Sequence, residues 1–187
     1  IADKMGVEAP IIADTPLQAS SEAAPEPEFP AIDPEAYEWV RDAQALGRWI
    51  DLAYKRGYIA VDTETTSLDE MQAELVGISL CVEPGDACYI PLTHKDGASD
   101  DLFGSDRLAD GQMDLDTALA LLKPIFEDEA ILKIGQNMKY DAKIFARYGV
   151  NVAPIDDTML MSYALHSGLH GHGMDALSER YLGHDPI

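Results

Sequence analysis

The chain has 187 residues, enough for one domain with a substantial core, and 47 % of them are hydrophobic. No run of eighteen apolar residues occurs, so no transmembrane helix is expected, and no basic stretch followed by an apolar one opens the chain as in a signal peptide. The formal net charge of −21 argues by itself against a nucleic-acid surface, because phosphate binding calls for a basic patch.

Residues 1–33 are rich in Ala, Pro and Glu, as in Ser20 to Glu28, and read as a flexible or extended linker. Asp33-Pro34 then predicts a helix, with Asp33 as N-cap and Pro34 at its first position. Tyr37, Val40, Ala43, Leu46, Trp49, Ile50 and Ala53 supply the apolar face. Three strands are expected next, over 58–64, 74–82 and 87–92. They form an antiparallel meander whose second turn is Pro84-Gly85. Cys81 and Cys88 fall on adjacent strands, where they could approach each other as reduced, buried thiols.

The first of these strands ends in Asp62-Thr63-Glu64-Thr65-Thr66. Positions i and i+2 of a strand share a face, so Asp62 and Glu64 project together. Two carboxylates held that close repel each other, and burial raises the cost. A divalent cation relieves both problems, and hard oxygen donors suit Mg²⁺ or Mn²⁺. A polar strand end followed by a Thr-rich turn would give the same letters.

Residues 94–113 read as an exposed loop whose aspartates (Asp96, Asp100, Asp101, Asp106) fit no calcium-loop spacing. Asp114 caps a helix with Leu119, Leu122, Ile125 and Phe126 on its core face. A fourth strand over 130–135 leads into Gly135-Gln136-Asn137-Met138-Lys139-Tyr140-Asp141, which opens a helix carrying Ile144, Phe145 and Tyr148. Asn137 and Asp141 are four apart on that helix, and Asp141 sits where the macrodipole favours an anion. Asn137 as N-cap and Asp141 as a first-turn acid is the plainer alternative. A short strand at 152–155 and helices over 158–166 and 174–182 complete the chain. His170-Gly171-His172-Gly173 reads as a glycine-rich loop rather than a metal pair. His94, His166 and His184 read as isolated surface or helix-end residues.

Taken together and in order, the two motifs resemble the 3′-5′ proofreading exonuclease domain of bacterial DNA polymerase I, within the DEDD exonucleases. The matching segments are 59–69 and 135–141, with further likeness at Leu75 to Ser79, Tyr89 to Pro91, Asp157 to Leu160 and Met174 to Leu177. The resemblance covers roughly residues 35–187. It implies an α/β, ribonuclease-H-like mixed sheet, three antiparallel strands followed by parallel ones, flanked by helices. It implies hydrolysis of the 3′-terminal phosphodiester of DNA with two divalent ions, Mg²⁺ or Mn²⁺. Asp62 would bridge both ions, Glu64 would hold the one that activates water, and Asp141 would support the other. Thr65 and Leu68 would contact the terminal nucleotide, Leu68 as a wedge against its base. Gln136 and Asn137 would touch the backbone or sugar. The implied partners are a DNA 3′ end and the polymerase domain of the same protein, in the cytoplasm, without a membrane. A neighbouring basic groove and bound metal would offset the acidic charge.

The family's third motif, Tyr-x-x-x-Asp, is expected beyond Ile187, which makes residues 34–187 a C-terminally incomplete domain, impaired by itself. Tyr181 and Asp185 match that motif by letter but follow Met174-Asp175 too closely, and Gly183 breaks the helix between them. Two other readings share the carboxylates: a ribonuclease-D-like RNA exonuclease and a catalytically inert structural module of a polymerase.

Overall fold

The computed structural model describes residues 33–96 and 107–184. After a 3-10 turn at Pro34–Ala36 come β1 (Glu38–Trp39), α1 (Ala43–Arg56), β2 (Tyr58–Thr65), β3 (Leu75–Glu83) and β4 (Asp86–Pro91). Then follow α2 (Leu115–Phe126), β5 (Leu132–Gly135), α3 (Met138–Arg147), β6 (Ile155–Asp157), α4 (Thr158–His166) and α5 (Met174–Leu182). The six strands lie in the order β1-β4-β3-β2-β5-β6. β2, β3 and β4 are the antiparallel meander, and β2, β5 and β6 run parallel. This is the mixed α/β sheet expected from the sequence.

One face of the sheet carries the core. Ile59, Val61, Ile78, Leu80, Val82, Cys88 and Ile90 are buried there, with Leu46, Trp49 and Ala53 of α1 and Leu119, Leu122, Ile125 and Phe126 of α2. Phe126 meets Phe145 of α3 edge-on, ring centroids 4.9 Å apart. Each such side chain removed from water contributes about 2 kcal/mol. Alternation along β2 puts Ala60, Asp62 and Glu64 on the other face, which helices cover only in part.

The helix expected from Asp33 is a correction. Only Pro34–Ala36 turns, and α1 starts nine residues later than expected, behind Asp42, whose carboxylate accepts from Ala45 N at 2.8 Å. Glu38 and Trp39 instead pair in parallel with Cys88 and Tyr89. The unpaired edge of β4 offers backbone partners to this segment, and Val40 N donates to Tyr89 O at 2.8 Å. Glu38 then ties the strand to α1 by accepting from Arg48 and from Trp49 Nε1.

The cysteines do not approach each other. Leu80 pairs with Cys88 and Cys81 with Ala87, so the two thiols face opposite sides of the sheet. Burial pushes the Cys88 thiol far up. Asp100, Asp101 and Asp106 lie outside the described residues, while Asp96 N donates to Arg107 O at 3.0 Å.

Lys133 is fully buried on β5. Its ammonium donates to the carbonyls of Asp128, Ile131 and Ala153 at 2.9, 2.6 and 2.5 Å, with Ile125 O at 3.4 Å. Those oxygens belong to the end of α2, to the loop from it into β5 and to the approach to β6, so one side chain fastens all three.

Candidate active site

The parallel ladder between β2 and β5 runs only as far as Ala60 opposite Ile134. Beyond it β5 ends at Gly135 and the chain turns sharply into α3. A Cβ on Gly135 would collide with the Met138 side chain and approach Val61 O to 2.9 Å, so the turn fits only glycine. Asn137, in the left-handed region (φ 59°, ψ 41°), completes it. Asn137 therefore stands outside α3 and does not share a helix face with Asp141, and it makes no side-chain cap at that helix start. Its backbone N–H instead donates to Asp157 Oδ1 at 3.1 Å, and the same oxygen accepts from Met159 N and Leu160 N at the start of α4.

This turn delivers Asp141 to the gap past the end of β5. Its Oδ1 accepts from Thr63 N at 3.1 Å and from Thr63 Oγ1 at 2.6 Å. The carboxylate thus takes the place of a strand acceptor on β2. Asp141 is only 3 % exposed, and burial pushes its pKa up while the Thr63 bonds pull it down. Asp62, half-buried opposite Ser79, is pushed up to about 6, first by burial and then by the negative charges of Asp141 and Glu64. Glu64 is exposed, opposite Gly77. Burial, and then Glu64, push the phenol of Tyr89 up as well.

The segment after β2 is held by Tyr140. Its hydroxyl donates to Ser67 O and accepts from Thr65 Oγ1 at 2.5 Å, with Thr65 Oγ1 3.1 Å from Ser67 O. Asp69 stiffens the turn by accepting from Met71 N and Gln72 Nε2. Leu68 stands at its tip, 94 % exposed, a large apolar side chain supported in solvent. The Thr65 hydroxyl is therefore engaged within the turn.

Gln136 points to the opposite side of the site. Its Nε2 donates to His172 O at 2.8 Å and its Oε1 accepts from Thr158 Oγ1. His172 is buried, with Nδ1 2.7 Å from Ser162 Oγ and its ring 3.8 Å from that of Tyr163. His170 lies 5.1 Å from His172 and 5.4 Å from His166, ring to ring. The glycine-rich loop is thus anchored by a packed imidazole cluster, and His166 does not stand alone. Burial, then the two neighbouring imidazoles, hold His172 low. His94 is not isolated either: its Nε2 is 2.7 Å from the Tyr89 hydroxyl.

A groove of about 690 Å³ opens beside Asp62, between the open sheet face (Ala60, Ser79, Cys81) and the α4–α5 pair (Leu165, Leu177). Tyr181 lines it from α5, and Gly183 closes that helix in the left-handed conformation, as expected. Asp185 lies outside the described residues.

Thr63 holds Asp141 next to Asp62 on β2, and the charges of Asp141 and Glu64 both act on Asp62. Among the described residues no three His, Cys, Asp or Glu side chains form a ready-made metal cage. The donors nevertheless fit a hard divalent cation in kind, being carboxylate oxygens. A cation there would offset the burial of the Asp62 charge and its repulsion by Asp141 and Glu64. Sequence reasoning missed Thr63, Tyr140 and Asp157, which position the acidic residues and the turn without being acidic ligands themselves. The buried parity of Thr63, opposite to Asp62 and Glu64, was the available signal.

A family model described as 3′-5′ exonuclease matches residues 37–187. DNA polymerase I of Rhizobium leguminosarum is 49 % identical over 165 residues, covering 83 % of this chain and 16 % of the relative. DNA polymerase I of Pseudomonas aeruginosa is 38 % identical over 178 residues, covering 94 % and 17 %. The chain thus spans about one sixth of the length of the curated relatives it matches. Among solved structures, Escherichia coli RNase D, an exoribonuclease, shares the fold with a TM-score of 0.58 at 20 % identity, covering 81 % of this chain and 34 % of that one. With the match running from Tyr37 to the last residue, and with both motifs inside it, the chain belongs to the 3′-5′ exonuclease family.

Proposed function

We propose that this chain is the proofreading domain of a DNA polymerase I and removes single nucleotides from a DNA 3′ end. Water adds to the terminal phosphorus, the bond to the preceding 3′ oxygen breaks, and a nucleoside 5′-monophosphate leaves. The observation that carries this reading is the bond pair from Thr63 to Asp141, which fixes the helix carboxylate on β2 next to Asp62.

Asp62, Glu64 and Asp141 would hold two divalent ions, Mg²⁺ or Mn²⁺. Bound there, such ions lower the pKa of water and neutralise charge on the leaving oxygen. The rest is positioning by the chain itself. Thr63 fixes Asp141 through two hydrogen bonds, so its carboxylate is ordered before substrate arrives. Tyr140 fixes the Thr65–Ser67 turn, so Leu68 is presented as a wedge against the terminal base. Gln136 and Asn137 join α3 to α4 and its following loop, which would place their backbone along the sugar-phosphate chain. The acidic surface makes a polymerase domain of the same protein the source of DNA affinity.

The test is digestion of matched DNA and RNA oligomers by the native full-length protein in Mg²⁺, with Asp62→Ala as the comparison. Release of 5′-mononucleotides from DNA, reduced roughly a thousandfold or more in Asp62→Ala, supports the reading; that ratio corresponds to about 4 kcal/mol. Preferential digestion of RNA would favour a ribonuclease-D-like activity. No Asp62-dependent digestion of either would leave a structural module.

A further inference from the structure

Tyr89 lies across the open face of the sheet toward Glu64. Glu64 of β2 is directly opposite Gly77 of β3, and Tyr89 of β4 is opposite Ser79, two residues along. Directly paired residues share a face, so Glu64, Gly77, Ser79 and Tyr89 all point the same way. A side chain at Gly77 would collide with the Tyr89 hydroxyl and ring carbons. The phenol therefore fills the space above Gly77, and its hydroxyl is set beside Glu64, since directly opposed Cβ positions are only about 5 Å apart.

The phenol is also held from behind. His94 Nε2 is 2.7 Å from its oxygen, with the two rings edge-on. His94 is pinned in turn by Gln112, which accepts from His94 N at 2.6 Å and donates to His94 O at 3.0 Å. Trp39 packs edge-on against the other side of Tyr89, centroids 5.8 Å apart. A tyrosine held by His94 and Trp39 on the half-open face, with its hydroxyl over a glycine that leaves room for it, is placed for its hydroxyl and not for core packing.

We propose that Tyr89, braced by His94, is a positioning residue for Glu64. The phenol has one proton. Spent on His94, it would leave oxygen lone pairs facing the carboxylate. With His94 carrying its proton on Nε2 and donating to the phenol oxygen, the Tyr89 O–H donates to Glu64 and holds it toward Asp62. The inference rests on the assignment of Glu64 to the metal site.

The experiment uses the native full-length protein with Tyr89→Phe, Gly77→Ala and Glu64→Ala. Tyr89→Phe keeps the ring and removes the hydroxyl, whereas Gly77→Ala keeps the hydroxyl and displaces it. Kinetics of 3′-nucleotide release give kcat, KM for DNA and the Mg²⁺ concentration for half-maximal rate. Electron paramagnetic resonance of free Mn²⁺ gives metal affinity without turnover. A hydrogen bond to a charged group is worth about a tenfold effect. Both Tyr89→Phe and Gly77→Ala should lower kcat by about that factor, weaken Mn²⁺ binding about threefold or more, and leave KM for DNA unchanged. Wild-type kcat and Mn²⁺ affinity in Tyr89→Phe, with Glu64→Ala inactive, would overturn this inference alone. Full activity in Glu64→Ala would overturn the assignment of Glu64 and this inference with it.

Discussion

Asp141 and Thr63, 78 residues apart, are joined by two hydrogen bonds to one carboxylate oxygen, from the Thr63 backbone at 3.1 Å and its hydroxyl at 2.6 Å. The helix residue thereby completes the strand where β5 stops. This bond pair couples the two motifs and orders a buried acid without a cation.

Thr63→Val should therefore cost stability. It keeps the shape and the backbone donor but removes the hydroxyl from a buried carboxylate, an effect of about 1–3 kcal/mol. The Thr63 bonds favour the charged form of Asp141, so the loss should be larger at pH 8 than at pH 4. Urea unfolding at the two pH values measures it; equal losses would contradict the role given to Thr63.

Asp62 makes the opposite contribution. Its folded pKa of about 6 lies above the ordinary 3.8, so in the absence of divalent metal its charge costs stability. That cost is fully present above pH 6, falls as the group protonates, and is gone below about pH 4. Asp62→Asn should accordingly raise the melting temperature in EDTA at pH 7.5, at about 2–4 °C per kcal/mol, and leave it unchanged near pH 4. Thermal scans across that range decide the matter.

Both motifs were legible because alternation along β2 sets Asp62 and Glu64 on one face and the apolar spacing of Ile144 and Phe145 marks α3, whereas the turn that delivers Asp141 was not. The meander and the parallel β5 were legible for the same reason. β1 was not, because Asp33-Pro34 imitates a helix start, and only the free edge of β4 decides that Glu38 and Trp39 extend it. The link from Tyr89 over Gly77 to His94 was also hidden. It depends on cross-strand register, which no local pattern encodes. The imidazole cluster around His172 likewise depends on α4 and its following loop folding back together.

Tyr140→Phe should loosen the turn that presents Leu68, since its hydroxyl holds both Thr65 and Ser67. The expected result is a fall in kcat/KM for 3′-nucleotide release of about tenfold, the scale of one or two hydrogen bonds. Leu68→Ala should give a fall of the same order by removing the wedge. Steady-state kinetics on the native protein test both, and an additive double variant would show that Tyr140 acts elsewhere.

Lys133→Met should destabilise without touching the chemistry. The buried ammonium donates to carbonyls in the loop from α2 to β5 and before β6, and its loss leaves Ile131 O and Ala153 O without that donor, at about 1–3 kcal/mol. A melting temperature lowered by several degrees, with unchanged exonuclease rate at 25 °C, is the expected outcome.

Asp62, Glu64 and Asp141 are proposed to form one divalent-metal site. Crystals soaked in Mn²⁺ and a nucleoside 5′-monophosphate, with anomalous scattering recorded for the metal, locate the ions directly. Mn²⁺ is expected about 2.2 Å from Asp62 oxygens, with Glu64 and Asp141 among its ligands and the nucleotide base against Leu68. Mn²⁺ bound instead at the His166–His170–His172 cluster, with none at Asp62, would contradict it.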